Sequence, residues 1–558
     1  MIPSKSGPPA LWWKLAILTA AAVFALLAVW NIDLPGLYYD ELIQVSPALR
    51  VVKAHVQSQL FGEPRSEIGY HQRRLALMTM GYLGGLKTIA FVPIAAAVKL
   101  GPESIRSFTI LIGALALIAT AAFARRFLGP PAAALAAILL ATDASYLIFC
   151  RTDYGPTALM MLLKSVALWQ LMIWWQSGRS WPLYRAAFAM GLGVYDKANF
   201  LWIVMALAGA VLLIAPSSFT RLTRKETLRA ACLFMVGCLP LIMYNLDWPP
   251  PTWTALKSQN INARRGETGV PRSLKELEDR FRQRTGLLAG LLTARNVRYV
   301  RGFPAPRAAL TPMVACAAFV ITLMCYCLPR MRRQWRREML LALATFFIVL
   351  LAALTPGAYA DHHLILTYPF PHLLVAAVVI RGTGWCYRMR TPLGVITALA
   401  VFLTGAAGPV MAGVLRYRQV MVQLQKTGGT GSWSDGIYEL DAWLESHDPS
   451  QPVIAVDWGI EQNLAVLSQG RLPCVDLWSA QDAARYQEFF KMPESRYVLH
   501  APDVTEFPQA RTLFLDAVQA RGLQLHSVKT IADRTGSPVF LVYTLSRTID
   551  AQPLPEGR

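Results

Sequence analysis

Long apolar runs alternate with short basic connections up to about residue 413, after which the hydrophobic pattern shortens and begins to alternate. About 20 apolar residues are needed to cross a bilayer as a helix. On that measure the pattern predicts spans near 11–31, 106–124, 130–149, 155–176, 185–195, 198–215, 230–246, 308–328, 339–355, 364–380 and 392–413, about eleven crossings in all. No small-residue cleavage site follows Leu11–Trp30, so this run reads as a retained first span. Lys5 and Lys14 flank it and favour a cytoplasmic N-terminus. The loops then expected inside carry Arg125/Arg126, Arg179, Arg221/Arg224/Lys225/Arg229, Arg330/Arg332/Arg333/Arg336/Arg337 and Arg381/Arg388/Arg390. All are basic, in keeping with the positive-inside rule, and the odd count puts the C-terminus outside.

Residues 76–98, "ALMTMGYLGGLKTIAFVPIAAAV", are apolar enough to span, but Lys87 lies beside Gly81, Gly84 and Gly85. A charge at mid-bilayer depth costs a few kcal/mol. The segment is therefore expected flat on the outer interface, or re-entrant, within a first external loop at 32–105. A second external loop is expected at 247–307. The membrane domain takes in 1–413 and an extracytoplasmic domain 414–558. In this tail, candidate strands at 452–458, 472–478, 496–501 and 539–545 alternate with candidate helices at 436–446, 460–468, 479–490 and 505–521, which predicts a small α/β domain. The fold class is thus a mainly α, polytopic transmembrane bundle with juxtamembrane helices and a C-terminal soluble α/β domain.

Composition agrees. Hydrophobic residues make up 54% of the chain and charged ones only 16%, yet the net charge is +20. The tail has 17 acidic and 13 basic residues, so the basic excess belongs to the membrane part. Most of the eight cysteines lie in apolar runs, which argues against a disulfide framework. No phosphate-binding loop, serine elbow or zinc-protease helix is present, so nothing points to ATP. No nucleic-acid partner is expected.

Chemistry concentrates at the predicted outer ends. Asp40 and Glu41, in "GLYYDELIQ", follow the first span. A carboxylate at the edge of a dry cavity suits a general base, whereas the structural alternative is a solvated turn. "FCRTDYGPTAL" brings Arg151 and Asp153 to the start of the fourth span; they fit either a polar cavity or an ion pair. Lys164 lies two turns further in, where a charge marks a polar path or a snorkelling lysine. Lys87, Arg151 and Lys197 together suit a phosphate at headgroup depth; bulk anionic lipid is the unspecific alternative. "YADHHLILTYPFPH" carries Asp361, His362, His363, Tyr368 and His372. Asp361, His362 and His363 either line a polar cavity or hold a divalent metal, and no fixed ligand spacing favours the metal.

In order and topology these stretches resemble the C-type (GT-C) multi-span glycosyltransferases, in particular the protein O-mannosyltransferase group and the bacterial lipid A aminoarabinose transferases. The resemblance runs over about 11–410. It rests on the acidic pair, "YLGGLKTIAFVPIAAAVKLG" (82–101), "LLATDASYLIFCRTDYGPTAL" (139–159), "GLGVYDKANFLWIV" (191–204) and "HHLILTYPFPHLL" (362–374). Two departures stand out: Thr88-Ile89 replaces the usual Pro-Pro after the lysine, and no histidine follows the acidic pair.

The resemblance implies transfer of a sugar from a polyprenyl-phosphate-linked donor to a lipid, glycan or protein acceptor at the outer face, with inversion. Asp40 would be the base, or would position the sugar if the acceptor is itself a phosphate. Glu41 and Asp153 would shape the acceptor site. Lys87, Arg151 and Lys197, with Lys164 and Tyr368 as further donor-side candidates, would hold the lipid phosphate in place of a metal. Two other readings use the same features. A lipid-linked sugar flippase would bind the same phosphate, but the chain shows no paired repeats. A pyrophosphate-lipid-dependent glycan ligase would use the arginines of 247–307, but it leaves Asp40-Glu41 unexplained. A bacterial inner membrane with a periplasmic tail is the expected setting, among membrane lipids.

Overall fold

The computed structural model describes residues 11–53, 66–70, 73–258, 269–295, 297, 310–477, 490 and 494–547. Among these, six helices are long and apolar enough to cross a membrane: Trp12–Val29, Pro102–Phe127, Thr157–Ser177, Leu310–Cys327, Arg336–Leu354 and the continuous stretch Pro392–Thr427. A seventh is counted if the bent pair Asp361–Thr367 and Phe370–Arg388 is one span. Four other predicted spans are shorter or interrupted. The 130–149 run breaks at Asp143 into Pro130–Thr142 and Ala144–Phe149. The 230–246 run becomes Arg224–Gly237 and Leu239–Tyr244, with Pro240 at the start of the second piece. Ser180–Asp196 and Leu201–Ile214 have 17 and 14 residues. The chain is an integral membrane protein built as a helical bundle.

One end of the bundle is basic. Arg125 stacks on Trp13, its guanidinium 4.2 Å from the ring centre, and Arg221 covers Trp175 at 3.8 Å. Arg126 donates to Gln176 at 2.7 Å, and Arg381 pairs with Glu338 at 2.6 Å. The opposite end carries the connection after the first helix. There Tyr39–Leu42 and Ser46–Val52 form short helices. Residues 76–98 are not a continuous helix. Met78–Met80 pairs antiparallel with Leu83–Gly84, and Leu86–Ala97 follows with Pro93 inside it. Twelve helical residues rise about 18 Å, too little to cross. Lys87 is the second residue of this helix rather than its centre.

The 36-residue helix Pro392–Thr427, with a π-helical turn at Leu403–Ala407, is about 54 Å long, well beyond a hydrocarbon core of about 30 Å. Its last turns therefore rise out of the bundle, and the composition change near 413 falls inside it. They lead into the C-terminal sheet domain, whose strand order is Cys474–Asp476, Val453–Ala455, Arg496–His500, Pro538–Arg547, Leu523–Ala532. The first two pairings are parallel and the last two antiparallel. Helices Gly436–Ser446, Ile460–Leu467 and Pro508–Gln519 lie where the sequence predicts them; the candidate helix at 479–490 falls almost wholly outside the described residues. Leu523–Ala532 is not among the predicted strands. It is the sheet's edge, and the alternation of Leu523, Gln524, Leu525 and His526 is interrupted by a bulge at Ser527–Lys529, which shortens the apolar–polar pattern.

The sheet domain seats on the connection after the first helix. Trp433 stacks on Tyr38 with ring centres 3.5 Å apart, and Gly36 N donates to the Trp433 carbonyl at 2.9 Å. Gln469 bonds both main-chain groups of Leu100, at 3.1 and 2.9 Å.

Candidate active site

Three segments meet beneath the sheet domain. The first is the helix Tyr39–Leu42, which starts directly after the exit turn. Arg106 fixes that turn: it donates to the carbonyls of Ile32 and Pro35 at 2.8 and 2.9 Å and grips Glu41 through two bonds of 2.9 and 2.8 Å. Both side chains are buried. Burial pushes the Glu41 carboxyl above its ordinary range, while Arg106 pulls it back. A bidentate pair of this kind is directional and strong. It aligns the segment, in which the half-buried Asp40 stands next to Glu41.

The second segment, 82–88, is clamped against 195–198. Leu83 forms an antiparallel bridge to Lys197, and Ala198 N donates to the Tyr82 carbonyl at 3.1 Å. Gly84 is required here, because a Cβ would stand 2.3 Å from the Tyr195 carbonyl oxygen. Gln44 ties this strand to the acidic segment by donating to the Gly84 carbonyl at 2.8 Å, and Thr88 donates back to the Gln44 carbonyl at 2.7 Å. The third segment is the turn 151–156, whose Gly155 N donates to the Asp40 carbonyl at 3.1 Å. Asp153 sits there with φ +29°, a backbone conformation that side-chain-bearing residues rarely adopt outside strained or functional sites.

Together they make one charge cluster. Lys87 Nζ lies 2.7 Å from Asp153 Oδ2, with both side chains buried. Lys197, also buried, feels the charges of Asp40, Asp153 and Asp196. Asp196 is fully buried, and neither of its carboxylate oxygens has a hydrogen-bond partner. Of the residues singled out in the sequence, Asp40, Asp153, Lys87 and Lys197 come together, with Glu41 as their support.

The others do not join them. Arg151 donates to the carbonyls of Trp30 (2.7 Å), Leu34 (2.6 Å) and Asn31, and to the Tyr417 hydroxyl at 3.1 Å. Its two terminal nitrogens hold the exit turn against the Gly408–Thr427 helix, while Nε is buried without a partner. Lys164 donates to the carbonyls of Leu366 (2.7 Å) and Tyr368. It satisfies backbone exposed where the Asp361–Arg388 pair bends, the need that unwound backbone has inside a membrane. Tyr368 is buried, with its hydroxyl 3.3 Å from Asp143; His372 approaches the same carboxylate at 3.1 Å. Asp143 in turn accepts from Tyr146 N at 2.8 Å.

Asp361 lines a shallow cleft with Ser145, Tyr154 and Leu291, with room for about one water molecule. His362 stacks on Tyr154 and His363 faces Trp202 edge-on. The His362 and His363 rings lie 4.2 Å apart, edge to face. Among the described residues no group of three or more His, Cys, Asp or Glu is placed to hold a metal.

Sequence reasoning missed Arg106, Asp143 and Asp196. Arg106 and Asp143 act on partners 65 and more than 200 positions away, so no local spacing shows them. Asp196 stands beside Lys197 in "VYDKAN", where a carboxylate touching a retained lysine was the available signal.

The family described as dolichyl-phosphate-mannose-protein mannosyltransferase matches residues 91–244, which include Lys197, Asp153 and Arg106. No curated relative matches the chain by sequence. In fold, ArnT from Cupriavidus metallidurans bound to undecaprenyl phosphate superposes with a TM-score of 0.54 at 12% identity, over 96% of this chain and 98% of that one. The oligosaccharyltransferase of Archaeoglobus fulgidus in its apo form gives 0.52 at 14% identity, over 98% of this chain and 76% of that one. The chain thus shares the fold of these two membrane proteins over almost its whole length and carries at 91–244 a segment similar to a mannosyltransferase family.

Proposed function

We propose that the protein moves a sugar from a polyprenyl-phosphate-linked donor to an acceptor at the extracytoplasmic face of a bacterial inner membrane. The observation that carries this reading is the cluster itself: a half-buried Asp40 set against Lys197, with Lys87 and Asp153 alongside. The acceptor oxygen attacks the anomeric carbon, the bond to the phosphate oxygen breaks, and Asp40 takes the acceptor's proton. If the acceptor is a phosphate there is no proton to take, and Asp40 positions the sugar. One displacement with no covalent nucleophile gives inversion. The departing phosphate gains charge, so cations at its oxygens act most strongly in the transition state. Lys197 supplies one. Lys87 supplies a second, since an ammonium has three donors and Asp153 occupies one of them. Two neighbours in fold support such a donor: ArnT bound to undecaprenyl phosphate, and the archaeal oligosaccharyltransferase AglB in complex with an inhibitory peptide and a dolichol-phosphate.

The basic end of the bundle faces the cytoplasm in this reading, by the positive-inside rule. The sheet domain covers the site from outside and takes part in choosing the acceptor.

The test is release of polyprenyl phosphate in proteoliposomes from a panel of polyprenyl-phosphate sugars, comparing wild type with Asp40→Asn. Acceptor-dependent release by wild type, cut by about 10²-fold or more in the variant, is the expected result. Absence of release with any donor, together with movement of labelled donor between leaflets that survives Asp40→Asn, would replace this reading with a flippase.

A further inference from the structure

The helices Arg224–Gly237 and Leu239–Tyr244 start at the basic end of the bundle and finish at the opposite end, where Tyr244 packs with Met78 of the ribbon before Lys87. Their 14 and 6 residues together rise about 30 Å, the thickness of a hydrocarbon core. Leu228, Cys232, Met235, Leu239 and Met243 are all exposed along them. Three- and four-residue steps put such positions on one helix face, and in an integral membrane protein an exposed apolar face meets lipid.

The apolar stripe does not stop where the helices end. Leu246, Trp248, Trp253 and Leu256 are exposed as well, Trp248 to 91%, and Asp247 is the only charged residue from Leu239 to Leu256. Tryptophan is strongly buried on average in water-soluble proteins, whereas at headgroup depth its apolar ring and its N–H are both satisfied. The segment is firmly built. Asn245 donates to Thr252 Oγ1 at 2.8 Å and accepts from Thr252 N at 3.0 Å. Helix Pro251–Ser258 lies so close to the ribbon that a Cβ on Gly81 would stand 2.4 Å from Ala255 Cβ. The ribbon runs on through Leu83–Gly84 into the helix Leu86–Ala97. That helix turns Lys87, Thr88 and Phe91 inward and exposes Ile89, Ala90 and Pro93, so it too presents an apolar face outward.

We propose that Leu246, Trp248, Trp253 and Leu256 form a lipid-interface anchor, which enters the headgroup region of the leaflet on the sheet-domain side and, through the contact of Ala255 with Gly81, sets the depth at which Lys87 meets a lipid phosphate. The occupant of the patch is the lipid surface, because the patch continues the lipid-facing stripe and begins where about 30 Å of helix ends. The effect on Lys87 rests on the transferase reading above; the anchor does not.

The test uses fluorine NMR of the full-length protein, labelled with fluorotryptophan, in nanodiscs of phosphatidylethanolamine and phosphatidylglycerol. The signals of the two indoles are assigned by their absence in Trp248→Phe and Trp253→Phe. A lipid with a nitroxide near the top of its acyl chain should broaden both signals more than a water-soluble gadolinium chelate does. The reverse order would overturn the anchor and leave the patch to a protein partner. Polyprenyl phosphate release then tests the link to Lys87. Trp248→Ser/Trp253→Ser should raise the KM for the lipid-linked donor several-fold with kcat kept, and Trp248→Phe/Trp253→Phe should stay closer to wild type. Both side chains are exposed, so the thermal midpoint should hardly move. A fall in kcat with KM unchanged, or no change in either, would overturn the link. Release from no donor by wild type, with both signals broadened by the lipid, would sink the transferase reading and leave the anchor.

Discussion

Lys197 and Arg151 are both buried cations near the turn where the chain leaves its first helix, and their surroundings differ in kind. Arg151 faces backbone carbonyls and a tyrosine hydroxyl that engage its two terminal nitrogens, its Nε remaining without a partner. Lys197 feels the charges of three carboxylates, one of which, Asp196, has no hydrogen-bond partner on either oxygen. The same contrast separates Lys87, paired through one bond with Asp153, from Lys164, which satisfies the backbone of a bent helix pair. A cation that satisfies carbonyls is part of the architecture, because removing it leaves polar backbone unpaired in a dry interior. A cation among carboxylates can exchange partners when an anion arrives. Charge and depth alone do not distinguish the two; the partners do.

Lys87→Met should have the largest effect on both counts. Breaking a buried ion pair costs about 3–5 kcal/mol, and the site loses one phosphate ligand. The double variant Lys87→Met/Asp153→Leu should recover much of the thermal midpoint but none of the turnover. Recovery of both would put the pair on the architectural side. Arg151→Met should behave in the opposite sense: thermal stability falls by several kcal/mol, at about 1–3 kcal/mol for each buried carbonyl left unsatisfied, while the folded fraction keeps its affinity for polyprenyl phosphate.

A more gradual effect, spread over several pH units, is expected in the sheet domain. Glu461 is buried without hydrogen-bond partners, and burial, then Asp476, pushes its carboxyl up to about 8. Below its unfolded value of 4.5 both states hold the proton and there is no penalty. From there to about 8 the unfolded chain sheds the proton that the folded one keeps. Stability therefore falls as pH rises through this window, by at most about 1.4 kcal/mol per pH unit, and levels off above it. Asp441, pushed up to about 7 by burial and Glu445, acts in the same direction. Glu461→Gln should flatten part of this decline in thermal melts at pH 5 to 8, and an unchanged slope would contradict it. Tyr368→Phe should have the least effect, about 0.5–1.5 kcal/mol for one hydrogen bond to Asp143, with donor affinity retained.

The comparison also explains what the sequence made legible. The acidic pair, the juxtamembrane lysine and the lysine of "VYDKAN" were readable because each lies in a short segment at a span end, where local pattern and topology coincide. The 76–98 segment was readable as not crossing, since a lysine beside glycines conflicts with a mid-membrane position. Arg151 and Lys164 have partners more than 100 positions away in sequence, and nothing near them reveals these contacts. Arg106 was invisible for the same reason. Span lengths were overestimated where Asp143 or Pro240 breaks a run that hydropathy averages into one. The edge strand Leu523–Ala532 was missed because a bulge interrupts its alternation.

The central claim is that the lysines beneath the sheet domain, and not the arginine of the exit turn, hold the lipid phosphate. It is tested most directly by measuring binding of polyprenyl phosphate to full-length Lys197→Gln and Arg151→Gln in nanodiscs, on the folded fraction of each. The account predicts at least a ten-fold loss of affinity in Lys197→Gln, the scale of one charge-assisted hydrogen bond, and near wild-type affinity in Arg151→Gln. Retained binding in Lys197→Gln with loss in Arg151→Gln would contradict it.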